Sequence, residues 1–371
     1  MFNAERSRRA IVGVVAGAAI ASAAFLHDDN AIPDVDAKKK KKKKRPTATP
    51  EPTNTPSPTP APTWRNVSTF GSFGEENWQF KQVRDIALTS DGCVAFITDP
   101  DLRRLSIWRR SVDSETDWMH VTNIGEQGFG QVGACALAPD DLTLLVVDPG
   151  NEHISVWSRP STSSDDWTYV TAFGSSGANA EQFSNPWGVA VTSDGLTACV
   201  TDYQNKRVSI WGRNNTGSSQ WANVTTIESP SSMMTIRDLA LSADDKWMFV
   251  ADQHSDCVLV LNRPNTSGHA WSLQTPFGSS GNGVDQFANP QGIAISSDGL
   301  TAYVTNEQNS SCVSVWMRSS ASSNDWAFVT KFGTIGSGPG RLLFPQGIAL
   351  YNNQVFVADL GNARVSVWQY P

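Results

Sequence analysis

The sequence predicts an all-β chain closed into a six-bladed β-propeller, and three observations carry that expectation. A unit of about 50 residues recurs, which marks a repeat architecture. Aligned on the residue that ends its second apolar run, its copies fall at Asp99, Asp148, Asp202, Asp252, Asn306 and Asp359, at intervals of 49, 54, 50, 54 and 53 residues. Each copy holds three short apolar runs alternating with period two, separated by Asp-Gly-type turns and Gly or Asn loops, the pattern of antiparallel strands. A fourth run, opened by a Trp, follows five of the copies at 118–125, 167–174, 221–227, 271–278 and 326–333. The last copy stops at Trp368-Gln369-Tyr370-Pro371 without one, while Trp64-Arg65-Asn66-Val67-Ser68-Thr69-Phe70-Gly71 stands before the first copy with the same pattern. Six cores and six outer strands therefore match if the N-terminal strand closes the last blade, which also removes the open edges a broken ring would expose.

In chain order, residues 1–26 read as an export signal. Arg6, Arg8 and Arg9 precede an uncharged run rich in Ala, Gly and Val at 10–26, and Ala21-Ser22-Ala23 supplies the small-residue cleavage pattern. Ser7-Arg8-Arg9-Ala10 resembles a twin-arginine signal. The run is also at the short edge of the roughly 17 to 25 residues that span a bilayer, so an uncleaved anchor stays open beside cleavage. Residues 27–63 read as a stalk. A basic run from Lys38 to Arg45 leads into a segment in which Thr and Pro alternate with almost nothing apolar between them, a composition that buries too little surface to offset its ordering entropy. The basic run suits an anionic envelope polymer or lipid surface, and a solvated charge run in a linker is the alternative.

Residues 64–371 are the repeat region. They carry 18 basic and 30 acidic residues, a net charge of −12 within a chain whose total is −7. An acidic body argues against a nucleic-acid binder, whose affinity rests on neutralising phosphates. The five cysteines, widely scattered, match neither a disulfide framework nor a zinc spacing.

The clearest unit reads Phe173-Gly174, Asn185-Pro186-Trp187-Gly188, Ser193-Asp194-Gly195, Val200-Thr201-Asp202 and Asn205-Lys206-Arg207-Val208. With it the region resembles the NHL-repeat family, nearly whole in units three and six; unit four lacks the Pro-Gly and the Asn, and units one and two depart in part. The resemblance implies a six-bladed fold. It fixes no chemistry, since the family serves enzymes, sensors and binders alike.

Repeated residues read as structure: the acids as Asx-turn acceptors, and Trp108, Trp157, Trp211, Trp316 and Trp368 as packing between blades. Function is sought where the symmetry breaks. The positions just before each innermost strand face the channel mouth, and around the ring they are Arg84, Gly133, Trp187, Arg237, Gln291 and Gln346. Arg84 and Arg237 alone are followed by acids, Asp85 and Asp238, in blades opposite one another. Arg offers a fork for an anionic group and Asp an acceptor or a metal ligand. The plainer alternative is that each Asp neutralises its Arg or a channel amide. His153 and His254 lie on the same face but lack a third zinc ligand, and Cys257 and Cys312 lie too far apart for a disulfide. Two function classes follow. One is a non-enzymatic recognition scaffold for a protein, peptide or glycan, with no cofactor. The other is a lyase or lactonase using Asp85, Asp238 and His254 around a divalent cation.

Overall fold

The structure is a computed structural model that describes residues 63–370 except 112, 126–127, 229–234, 267 and 309–310. The export-signal and basic-run readings lie outside the described residues. No helix among the described residues is long and apolar enough to cross a membrane.

Six four-stranded antiparallel sheets form the blades. Blade three shows the pattern, with Pro186–Val191 innermost, then Thr197–Asp202, Arg207–Gly212 and Ala222–Glu228. Blade six consists of Pro345–Tyr351, Gln354–Asp359 and Arg364–Gln369, and its outer strand is Arg65–Phe70 from the other end of the chain. That strand runs antiparallel to Arg364–Gln369 from Arg65 opposite Gln369 to Phe70 opposite Val365. The expected closure is observed.

The outer strand expected at 271–278 is short. Only Ser272–Leu273 pairs as a regular strand, and Phe277 rejoins the ladder opposite Val258. Pro276 interrupts it, since proline has no N–H to give a neighbouring strand.

The core is divided among the seams. Each of six clusters draws residues from two adjacent blades; that between blades two and three joins Leu145, Phe173, Phe183, Val200, Trp211 and Trp221. Trp108, Trp211, Trp316 and Trp368 are buried there and Trp157 is half-buried, so these rings fill space between blades. The Phe-Gly that ends an outer strand has a steric cause. Gly174 takes φ +83°, and a Cβ on it would stand 2.2 Å from the ring of Phe183, a position only glycine fills.

The repeated acids anchor the loops that approach the channel. Asp99 ends its strand fully buried and accepts hydrogen bonds from the amides of Lys81, Gln82 and Leu102. Asp202 accepts from the Ser184 amide, Asn205 Nδ2 and Arg207 Nε. Each therefore clamps the turn after it and the loop before the innermost strand, holding the mouth residues on fixed backbone.

Candidate functional site

The residue after each mouth position sits where two blades meet. Asp85 Oδ2 accepts from the Cys135 amide of blade two at 2.9 Å, and Asp238 Oδ2 from the Ile293 amide of blade five at 3.1 Å. The Ala134 amide donates to the Trp187 carbonyl, and the Gly347 amide to the Arg84 carbonyl. Hydroxyls close the remaining seams, Thr201 to the Arg237 carbonyl and Thr305 to the Gln346 carbonyl. All six seams are thus bridged at one level. Side-chain size follows the local gap: a Cβ on Gly347 would stand 2.1 Å from Asp85 Oδ1 and 2.9 Å from the Arg84 carbonyl oxygen. We expect Gly347→Ala to lower stability by about 1–3 kcal/mol, the usual cost of forcing extra volume into a close-packed contact, read from its urea midpoint.

Above this ring of bridges, three of the sequence-predicted residues come together. The guanidinium carbons of Arg84 and Arg237 lie 4.2 and 4.0 Å from the ring centroid of Trp187, well inside the range of cation–π attraction. Arg237 also lies 5.1 Å from the Tyr203 ring and donates Nε to Gln253 Oε1 at 2.6 Å. The sequence predicts that the two Arg-Asp pairs face one another over the channel; in the structure the arginines meet on an indole from a third blade, and the acids turn to seam amides. Sequence reading missed Tyr203 and Gln253, although both stand in the loops after Asp202 and Asp252 that face the mouth.

The other predicted residues serve the ring. Gln291 is buried and donates to Glu307, which also accepts from Asn289. Gln346 is buried and lends its carbonyl to the seam. Burial pushes the carboxyl of Asp85 up to about 6, and burial with the nearby charge of Asp85 raises Asp238 well above the usual carboxylate range. Removal from water lowers Arg84 to about 10, with the positive charge of Arg237 adding to the effect.

These carboxylates border a cavity of about 20 Å³. Ligand pockets occupy roughly 300–1,000 Å³, so this space at the channel head is too small to enclose a substrate. A larger cleft of about 810 Å³ opens between blades five and six, lined by Trp64, Tyr303, Phe332, Trp368 and Tyr370 among others. It lies where blade six has no loop joining its third and fourth strands, because the fourth comes from the N-terminal side. Its lysine, Lys331, is already bonded to the carbonyls of Gly283 and Gln286.

Among the described residues no three His, Cys, Asp or Glu side chains gather as metal ligands. His153 Nε2 lies 3.8 Å from Asp148 Oδ2, and the His254 amide donates to Asp252. All five cysteines are buried and none forms a disulfide.

The NHL repeat family matches residues 183–211, the stretch of blade three that carries Trp187. No curated protein matches the sequence. Among solved structures, a protein of unknown function from Bacteroides thetaiotaomicron is similar at 16% identity and TM-score 0.59, over 83% of this chain and 76% of that one. An auxiliary nutrient binding protein from the same organism is similar at 11% identity and TM-score 0.58, over 83% and 76%. A functionally unknown protein from Desulfotomaculum acetoxidans gives 18% identity and TM-score 0.54, over 75% and 79%. At these identities the likeness shows the fold alone. With its six four-stranded blades and its closing strand, the chain is a six-bladed β-propeller that carries an NHL repeat at residues 183–211.

Proposed function

We propose that this propeller is a non-enzymatic recognition scaffold, exported and held at the cell envelope, that receives its ligand on the channel-mouth face. The observation that carries the binding role is the meeting of Arg84, Trp187 and Arg237, side chains the ring does not repeat, on one rigid mouth. Rigid scaffolds that display unrepeated aromatic and basic side chains are the usual frame for recognition. The enzyme reading asks Asp85 and Asp238 to serve a substrate or a divalent cation. Their bonds to the Cys135 and Ile293 amides and the small cavity beside them favour a structural duty instead.

A thermal-shift screen of the purified protein with peptides, glycans and divalent cations tests the reading, because a ligand that binds the folded state raises the melting temperature. The expected result is a stabilising peptide or glycan whose effect is lost in Trp187→Ala. A divalent-cation shift abolished by Asp85→Asn would favour the enzyme, and a ligand bound equally well by Trp187→Ala would move recognition off the mouth.

Export rests on Arg8, Arg9, the Ala-rich run and the small residues at 21–23. N-terminal sequencing of the protein from its host's envelope fraction should begin beyond residue 20; an intact Met1 would leave the anchor reading.

A further inference from the structure

The mouth cluster is unusual in its charge. Cation–π stacking occupies the flat face of a guanidinium and leaves the N–H groups at its edge free to donate. At Arg84 two of these donors, Nε and Nη1, are buried and meet no hydrogen-bond acceptor, and a buried donor without a partner costs on the order of 1–3 kcal/mol. The acids around it are engaged elsewhere. Asp85 Oδ2 takes the Cys135 amide, Asp101 takes Gln82 Nε2, and Glu307 takes Asn289 and Gln291. Among the described residues carboxylates pair with Arg109, Arg207 and Arg364; Arg84 and Arg237 are not with them. Two like charges thus meet on one indole with Asp85, Asp101 and Glu307 near them but without a carboxylate in ion-pair contact with either, in a repeat region whose net charge is −12. Burial, and after it repulsion from Arg237, lowers the affinity of Arg84 for its proton. Such an arrangement loses energy in the free protein and recovers it when an anion arrives.

We propose that the Arg84 and Arg237 guanidiniums, pre-oriented by Trp187, form a seat for a carboxylate or phosphate group of a small ligand. The assignment rests on the reading of the mouth as the recognition face and names the chemistry that face selects. Guanidinium forks match the two oxygens of either group bidentately. Trp187 fixes both forks beforehand, so little side-chain entropy is lost on binding. Gln253, bonded to Arg237 Nε, keeps the Arg237 fork from turning.

Calorimetric titration of the whole protein with citrate and with pyrophosphate separates the carboxylate source from the phosphate source. Binding of at least one is expected, weakening with salt as partly exposed charges are screened. Arg237→Gln and Arg84→Gln should each weaken it by at least about tenfold, the loss of one charge-assisted contact. Far-UV circular dichroism reports whether each variant folds. Arg237, the more open of the two, carries the test if Arg84→Gln does not fold. If neither anion binds the wild-type protein, while a neutral peptide or glycan does and is lost in Trp187→Ala, the anion seat is wrong and the recognition face stands. If Trp187→Ala leaves every ligand unaffected, both fall.

Discussion

A chain that begins at residue 71 is expected to melt at least about 10 °C below one that begins at residue 63. The segment removed contains Arg65–Phe70, which supplies the whole outer edge of blade six. Its loss exposes the edge of Arg364–Gln369 and breaks the bond from Asn66 Nδ2 to the Val367 carbonyl. Packing is lost on both sides. Phe70 is buried against Trp118 and Trp108 of blade one, at 4.9 and 5.0 Å between ring centroids. Trp64 stacks on Phe332 of blade five at 4.4 Å. The strand therefore fastens three blades, and truncating a buried Phe alone costs about 3–5 kcal/mol. At about 2–4 °C per kcal/mol for a domain of this size, the loss of Phe70 by itself accounts for the expected fall. Phe70→Ala should reproduce much of it with the strand still present. The full-length chain and the chain from residue 63 should melt together. If all three lengths melted alike, the strand would not be closing the ring.

How much of this was legible in the sequence depends on the range over which each residue acts. Asp202 and its equivalents act within one blade, on turns and loops whose spacing repeats, so alignment alone placed them at strand ends. The mouth positions were legible from phase, because Arg84, Trp187 and Arg237 hold one place in their respective copies. Their meeting was not legible. It joins blades one, three and four and depends on the radius of the ring and the reach of two long side chains, which no repeat spacing encodes. The seam bonds of Asp85 and Asp238 escaped for a similar reason: their carboxylates serve amides 50 and 55 residues away. One missed feature did leave a signal. Arg110, Arg159, Arg213, Arg263 and Arg318 stack on Trp118, Trp167, Trp221, Trp271 and Trp326, each eight residues further on. A constant Arg-to-Trp spacing in five units marks a structural pair. In the sixth, Tyr370 takes the arginine's place beside Trp64, because there the tryptophan arrives from the far end of the chain.

The second large effect is a dependence of stability on pH that runs opposite to ordinary acid unfolding. Asp85 and Asp238 both hold their protons more tightly in the folded ring than in the unfolded chain, Asp85 to about 6. Burial is the main cause for each, and their mutual repulsion strengthens it for Asp238. Folding is therefore favoured most where both are protonated, below about pH 4, and this contribution is lost as pH rises through the folded-state values. Other groups titrate nearby. Arg84 opposes the shift at Asp85, the Cys135 thiol is pushed upward, and burial also raises Glu307, Asp99, Asp202 and Asp359. The pair is isolated by difference. Urea midpoints of the wild-type protein and of Asp85→Asn/Asp238→Asn are compared between pH 4 and pH 8. At the acid end the variant should be the weaker, since each amide replaces one of two acceptor oxygens that the Cys135, Leu239 and Ile293 amides use. Toward pH 8 it should gain on the wild type by a few kcal/mol, at about 1.4 kcal/mol for each tenfold difference in proton affinity that the substitutions abolish, because it has no buried charges to repel. Parallel curves across that range would mean that the two carboxylates titrate as ordinary solvated acids, and that burial at the seams between blades one and two and between four and five does not hold their protons.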